Sequence, residues 1–242
     1  MPDSVLTVFA LLAALLTLGG IIGFFQRDQF NIKWFIVAVS LTFFNLFLNF
    51  RCFGMLPTGL NFEGAQWNWV GKALGLAGTL VIMSLPSFGW RRCGMTLHQN
   101  VEGRTRTYLA AVAFCVVFGT LIFLFQPSGP VTKETLAFQM TMPGFEEEPM
   151  YRGTLLFALN EAFRGKTRIL WASIGWGGVL TVIMFGCVHA IHFSNGSFSF
   201  GFGEMIGTGV IGFILLWFRE RSGSLVLPVL IHNYVNTILR LA

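Results

Sequence analysis

The chain has 242 residues, 54% of them hydrophobic and only 11% charged, with a net charge of +5. Soluble domains carry about 25% charged residues. This composition and a mean hydropathy of +0.68 exclude an ordinary soluble enzyme and point to an all-α, polytopic membrane helix bundle. Long continuous apolar runs argue against a transmembrane barrel, whose strands are short and alternating.

About 20 apolar residues suffice to cross a hydrocarbon core of about 30 Å as a helix. Such runs recur over roughly 4–25, 34–50, 69–90, 107–126, 136–162, 168–193, 200–218 and 223–241. They predict about eight transmembrane helices around an internal polar cavity, in one integral membrane domain over 1–242. The first run follows Asp3 with no Lys or Arg before it, so it reads as a span rather than a cleaved signal. Loop 51–68 is polar, loop 91–106 is basic, and 127–134 holds Pro127, Gly129 and Pro130. Gly71-x-x-x-Gly75 and Gly203-x-x-x-Gly207 are candidates for close helix packing. Cys52, Cys93, Cys115 and Cys187 are scattered, which predicts neither a disulfide framework nor a cysteine metal site.

Basic residues alternate with the loops. Arg27, Lys33, Arg91, Arg92, Arg104, Arg106, Arg164, Lys166, Arg168, Arg219 and Arg221 fall on the odd-numbered loops. Only Arg51, Lys133 and Arg240 fall on the other side. The positive-inside rule then places the odd loops in the cytoplasm and both termini outside. The net positive charge belongs to these loops, and no nucleic-acid partner is expected.

Residues 1–134 form motif-free N-terminal spans, and 135–242 hold the polar groups. The fifth span contains Glu146, Glu147, Glu148 and Arg152. A charge at the bilayer centre costs about 2.5–3.5 kcal/mol on insertion scales. Glu148 and Arg152 are four apart with the acid first, the favourable order for an intrahelical pair. Glu147 points about 100° away, and Glu146 has no evident role. Pro149 weakens the helix next to the carboxylates.

In the sixth span Phe185 and His189 share a face, with His192 three residues on. In the eighth, His232 and Asn236 share a face and Asn233 points away. Facing lipid these groups would be costly, so they should converge on one interior cavity. There a glutamate and a histidine can activate a water, while a histidine and an asparagine stabilise an oxyanion. That set hydrolyses an amide bond with no cofactor. Glu147, His189 and His232 could instead hold a zinc ion with an open position, although the H-E-x-x-H pattern is absent. The same groups would also serve a proton-coupled transporter, but spans one to four offer few polar residues besides Lys72. In a non-enzymatic scaffold or bacteriocin-immunity protein they would only join helices.

Glu147-Glu148-Pro-Met-Tyr-Arg152-Gly153 resembles the E-E-x-x-x-R-G motif of the CPBP (CAAX protease and bacteriocin-processing, or Abi) family. Phe185-x-x-x-His189 resembles its second motif, and Ser222-Gly223-Ser224-Leu225 with His232-x-x-x-Asn236 its third. The likeness covers roughly 135–240, with the motifs in order. It implies a glutamate-type intramembrane endopeptidase similar to the type II CAAX prenyl endopeptidases. Glu147 and His189 would activate water, His232 and Asn236 would form the oxyanion site, and Glu148, Arg152 and Phe185 would support them. The implied partners are the bilayer and a peptide or protein substrate, prenylated or otherwise membrane-associated. The implied location is a prokaryotic cell membrane, crossed many times. With a sixth span over 168–193, His189 lies about 30 Å from the basic loop before it. The charge bias therefore predicts a cavity opening to the outer face. Resemblance to prenyl-protein enzymes implies access from the cytosol instead.

Overall fold

A computed structural model describes residues 3–56, 64–100, 102–126 and 129–241; Pro127 and part of loop 51–68 lie outside them. The chain forms α1 (Asp3–Phe25), α2 (Ile32–Asn49), α3 (Trp69–Ser84) and α4 (Arg104–Phe125). There follow α5 (Lys133–Gln139), α6 (Met142–Glu148), a π-helical segment (Pro149–Leu155) and α7 (Leu156–Ala162). A hairpin of β1 (Lys166–Ile169) and β2 (Ala172–Gly175) leads into α8 (Trp176–Ala190). A second hairpin, β3 (Ile191–Ser194) and β4 (Ser197–Phe200), leads into α9 (Phe202–Ser222) and α10 (Val226–Leu241). The fold is an all-α bundle with two small antiparallel hairpins, β1 on β2 and β3 on β4.

Each helix sorts its side chains between protein and surroundings. On α1, Val8, Leu11, Leu15, Gly19 and Gly23 form the buried stripe, while Phe9, Leu16 and Phe24 face outward. Outward-facing apolar side chains fit a hydrocarbon solvent. Among the described residues, α1, α2, α4 and α9 are long and apolar enough to cross a membrane; α3 and α8 are shorter apolar helices. At 1.5 Å per residue, the 16-residue α3 and α10 each rise about 24 Å.

The expectation of one continuous fifth span is corrected. Residues 133–162 form α5, α6, the π-helical segment and α7 in succession. Pro143 sits in the first turn of α6 and Pro149 starts the π-helical segment. Thr141, at φ -131° and ψ -70°, separates α5 from α6, Pro143 is tolerated in the first turn of α6, and Pro149 cannot donate to the ladder where the π-helical segment begins. The sixth span is also shorter than expected, because 166–175 is a hairpin and α8 begins at Trp176. His189 thus lies 13 residues along its helix, about 20 Å.

The glycine pairs behave differently. A Cβ on Gly71 would collide with the Asn49 carbonyl oxygen, so α2 and α3 approach backbone to backbone there. Among the described residues nothing lies within 4 Å of a Cβ at Gly203 or Gly207, so that pair seats none of the described helices. Where α9 ends, Gly223 takes a left-handed φ of 73°. Ser224 then accepts from the Val226 amide with its hydroxyl and donates to the Thr96 carbonyl. The Ser222–Leu225 segment thereby starts α10 and ties it to the loop after α3.

Candidate active site

The π-helical segment and α6 hold four charged groups in the protein interior. Glu146, Glu148 and Arg152 are at most 1% exposed and Glu147 is 9% exposed. Burying charge is tolerable only where each is paired and hydrogen-bonded. The Arg152 guanidinium donates to Glu148 Oε1 at 2.9 Å and to the Gly212 carbonyl at 3.0 Å, and it stacks over the Phe185 ring at 4.2 Å. Glu148 Oε1 also accepts from His232 Nδ1 at 2.7 Å. Gly153 follows Arg152 because a Cβ there would meet Met83 Cε at 2.5 Å and the Cys93 carbonyl oxygen at 3.2 Å.

Glu147 is held from the other side. Lys72 on α3 donates to Glu147 Oε1 at 2.6 Å and to Glu146 Oε2 at 2.7 Å. Asn45 and Asn49 on α2 both donate to Glu146 Oε1, at 2.8 and 2.9 Å. Glu147 Oε2 has no hydrogen-bond partner among the described residues and lies 3.7 Å from His232 Nε2.

The histidines are oriented by their Nδ1 atoms. The Phe185 carbonyl only accepts, so His189 Nδ1, at 2.7 Å, must carry the proton it donates. The same logic puts a proton on His232 Nδ1 facing the Glu148 carboxylate. The Phe185 ring meets both imidazoles edge-on, with centroids 4.9 Å from His189 and 5.8 Å from His232. In the neutral forms, each Nε2 is therefore an acceptor.

A cavity of about 840 Å³ is lined by Glu147, His189, His232, Asn236, Phe185 and Lys72, with apolar walls from Phe118, Phe138 and Ile211 among others. It thus brings together Glu147, His189, His232 and Asn236 from three separate segments. Glu148 and Arg152 lie behind it. His192 stands apart on β3, exposed, with Nε2 2.9 Å from the His189 carbonyl. Asn233 accepts from the Gly144 amide at 2.8 Å, fastening α6 to α10. Glu147 is not wholly free for water, because Lys72 binds one of its oxygens. Sequence reasoning also missed Asn45, Asn49 and the purpose of Glu146. The available signal was the i, i+4 spacing of the two asparagines and an isolated Lys72, all in apolar spans.

Among the described residues, no three His, Cys, Asp or Glu side chains are grouped so as to hold a metal ion. Glu147, His189 and His232 fit a zinc ion poorly. An ammonium already occupies one Glu147 oxygen, and a dication would sit against that positive charge.

Residues 134–238 match the family model described as Type II CAAX prenyl endopeptidase Rce1-like. No curated protein and no solved structure matches the chain. The matched segment runs from α5 into α10 and contains every residue of the three motifs. Charged motif residues are thus buried behind one cavity, in a bundle with apolar helices of membrane-spanning length. The chain is thus a membrane protein whose residues 134–238 are similar to the type II CAAX prenyl endopeptidases.

Proposed function

We propose that the protein is a multi-pass intramembrane endopeptidase that hydrolyses a peptide bond of a membrane-associated substrate with a water activated at Glu147. The observation that carries this reading is Glu147, which lines one cavity with His189, His232 and Asn236 and whose buried Oε2 has no hydrogen-bond partner among the described residues. A water between Glu147 Oε2 and His189 Nε2 finds two acceptors, so its proton passes to the carboxylate as its oxygen attacks the scissile carbonyl. The carbonyl oxygen gains negative charge and needs donors placed in advance. The Asn236 amide supplies one. His232 Nε2 supplies another only in the imidazolium form, because Nδ1–H is committed to Glu148. Glu148 and Arg152 orient His232 rather than touch the substrate. The collapsing intermediate then takes its proton from Glu147 at the leaving amine.

The apolar cavity walls suit a substrate that carries a lipid or a membrane helix. Trp67, Asn68, Glu204 and Arg240 also line the cavity. They belong to the start of α3, the start of α9 and the end of α10, opposite the arginine-rich loops. On the positive-inside rule the cavity opens away from the cytoplasm of a prokaryotic cell. The substrate would be exported or presented from the outer leaflet.

The test is cleavage of membrane-anchored peptides, including a farnesylated CAAX peptide, by purified protein in liposomes. Cleavage by the wild type, with a loss of about 10²–10⁴-fold in His189→Ala and in His232→Ala, supports the reading. Undiminished cleavage in these variants overturns it. Metal analysis of the same active sample is expected to find no stoichiometric zinc. Activity lost to chelators and restored by zinc would replace the metal-free mechanism.

A further inference from the structure

We propose that Lys72 is a positioning residue for Glu147, held in place by Glu146, Asn45 and Asn49, so that the motif-free α2 and α3 complete the site. This inference rests on the enzyme reading above.

A glutamate carboxylate rotates about its last torsion, which is broad and roughly two-fold. A general base must hold one oxygen within about 2.6–3.2 Å of the proton it takes. At Glu147 the rotation is stopped by the ammonium at 2.6 Å on Oε1, which leaves Oε2 without a hydrogen-bond partner among the described residues, 3.7 Å from His232 Nε2. The ammonium is itself fixed. Its second donor goes to Glu146 Oε2, and the other Glu146 oxygen is occupied by two amides. Asn68 caps the start of α3: its side chain accepts from the Gly71 amide and donates to the Asn49 carbonyl. The face beside Lys72 is bare: a Cβ at Gly75 would come within 2.6 Å of Asn49 Nδ2 and 2.7 Å of Glu146 Oε1. The clamp therefore runs from α2 through Glu146 to Lys72 and ends on the catalytic oxygen pair. None of Asn45, Asn49 and Lys72 lies within residues 134–238, the segment that matches the family.

A simpler role is that Lys72 only neutralises two adjacent buried carboxylates. The two roles separate in the double variant Lys72→Met/Glu146→Gln, which removes one charge of each sign. A counter-ion role predicts that the double variant recovers cleavage that Lys72→Met alone has lost. Positioning predicts that it folds and binds but stays slow. A misplacement of about 1 Å can cost about 10²-fold, so kcat is expected to fall about 100-fold with KM within about 3-fold. Lys72→Arg, which restores a cationic donor, is expected to recover at least about 10-fold of that loss.

The assay uses the full-length protein in liposomes with the peptide that the wild type cleaves, and size-exclusion profiles to confirm folding. A double variant with kcat within about 3-fold of wild type overturns the proposal. If the double variant does not fold, Lys72→Gln is measured in the same way. It is expected to lose kcat at unchanged KM, and full activity there also overturns the proposal. A wild type that cleaves nothing overturns the enzyme reading and this inference together. An active wild type with an active double variant overturns the inference alone.

Discussion

The two carboxylates on either side of the Glu147–Glu148 peptide bond are supported in opposite ways. Glu148 finds its partners inside the matched segment, in Arg152 one helical turn on and in His232. Glu147 and its neighbour Glu146 find theirs in α2 and α3, 74 to 101 residues away in sequence. The motif-bearing half therefore builds a closed ion pair by itself but leaves Glu147 for the other half to hold. A family motif can mark the chemistry while the residues that set its geometry lie outside the motif. Three comparisons can sharpen or break this division.

The largest effect beyond the reactive groups is expected at Arg152. It is fully buried, and removing one partner of a buried pair costs about 3–5 kcal/mol because the other charge is stranded. Arg152→Met should therefore lower the thermal midpoint of the purified protein and its cleavage together. A stable, active Arg152→Met protein would show that Glu148 is held by something other than this pair.

A smaller effect separates the two glycine pairs. Gly75→Ala places a methyl against Asn49 and Glu146, and overpacking of this kind costs about 1–3 kcal/mol. Gly203→Ala meets nothing within 4 Å among the described residues. Near the start of α9 it should be neutral or stabilise the helix by up to about 1 kcal/mol. Thermal unfolding of the two variants in one detergent reads the difference. Equal midpoints would mean that α2 and α3 do not close over Glu146 as described.

The smallest effect concerns Cys93, in the loop between α3 and α4. Burial pushes its thiol up to about 11, against the pull of Arg219 and Arg92. The thiol thus stays protonated through the neutral range, and the thiolate is the reactive form. At pH 8, mass spectrometry should find Cys93 alkylated by N-ethylmaleimide far more slowly than the partly exposed Cys52. Comparable rates would mean that this loop does not pack on the motif helix at Gly153.

Much of this arrangement is legible in the sequence. Apolar runs locate the helices, because membrane length and hydropathy are local properties. The Glu148–Arg152 pair follows from i, i+4 spacing, and Pro149 marks a break that takes the form of a π-helical segment. The hairpins were less visible within apolar surroundings. One does carry a sequence sign: Asn195-Gly196 at the turn of β3 and β4 has φ of 51° and 78°, the backbone that Asn-Gly favours. The other turn, Leu170-Trp171, has positive φ with no glycine or asparagine to announce it. Its turn carbonyls accept from Trp217 and Arg221, so tertiary contacts hold the shape. The isolated Lys72 signals that some buried partner exists, but nothing local to it or to Glu146 names that partner on another helix.

The division of labour converges on one atom, Glu147 Oε2. The most direct measurement is the single-turnover rate of Glu147→Gln in liposomes, beside wild type and with the same peptide. The substituted amide keeps the size of the side chain and an acceptor for Lys72 but cannot take the proton of water. The account predicts binding within about 3-fold of wild type and a cleavage rate lower by about 10²–10⁴-fold. Cleavage at the wild-type rate would contradict it.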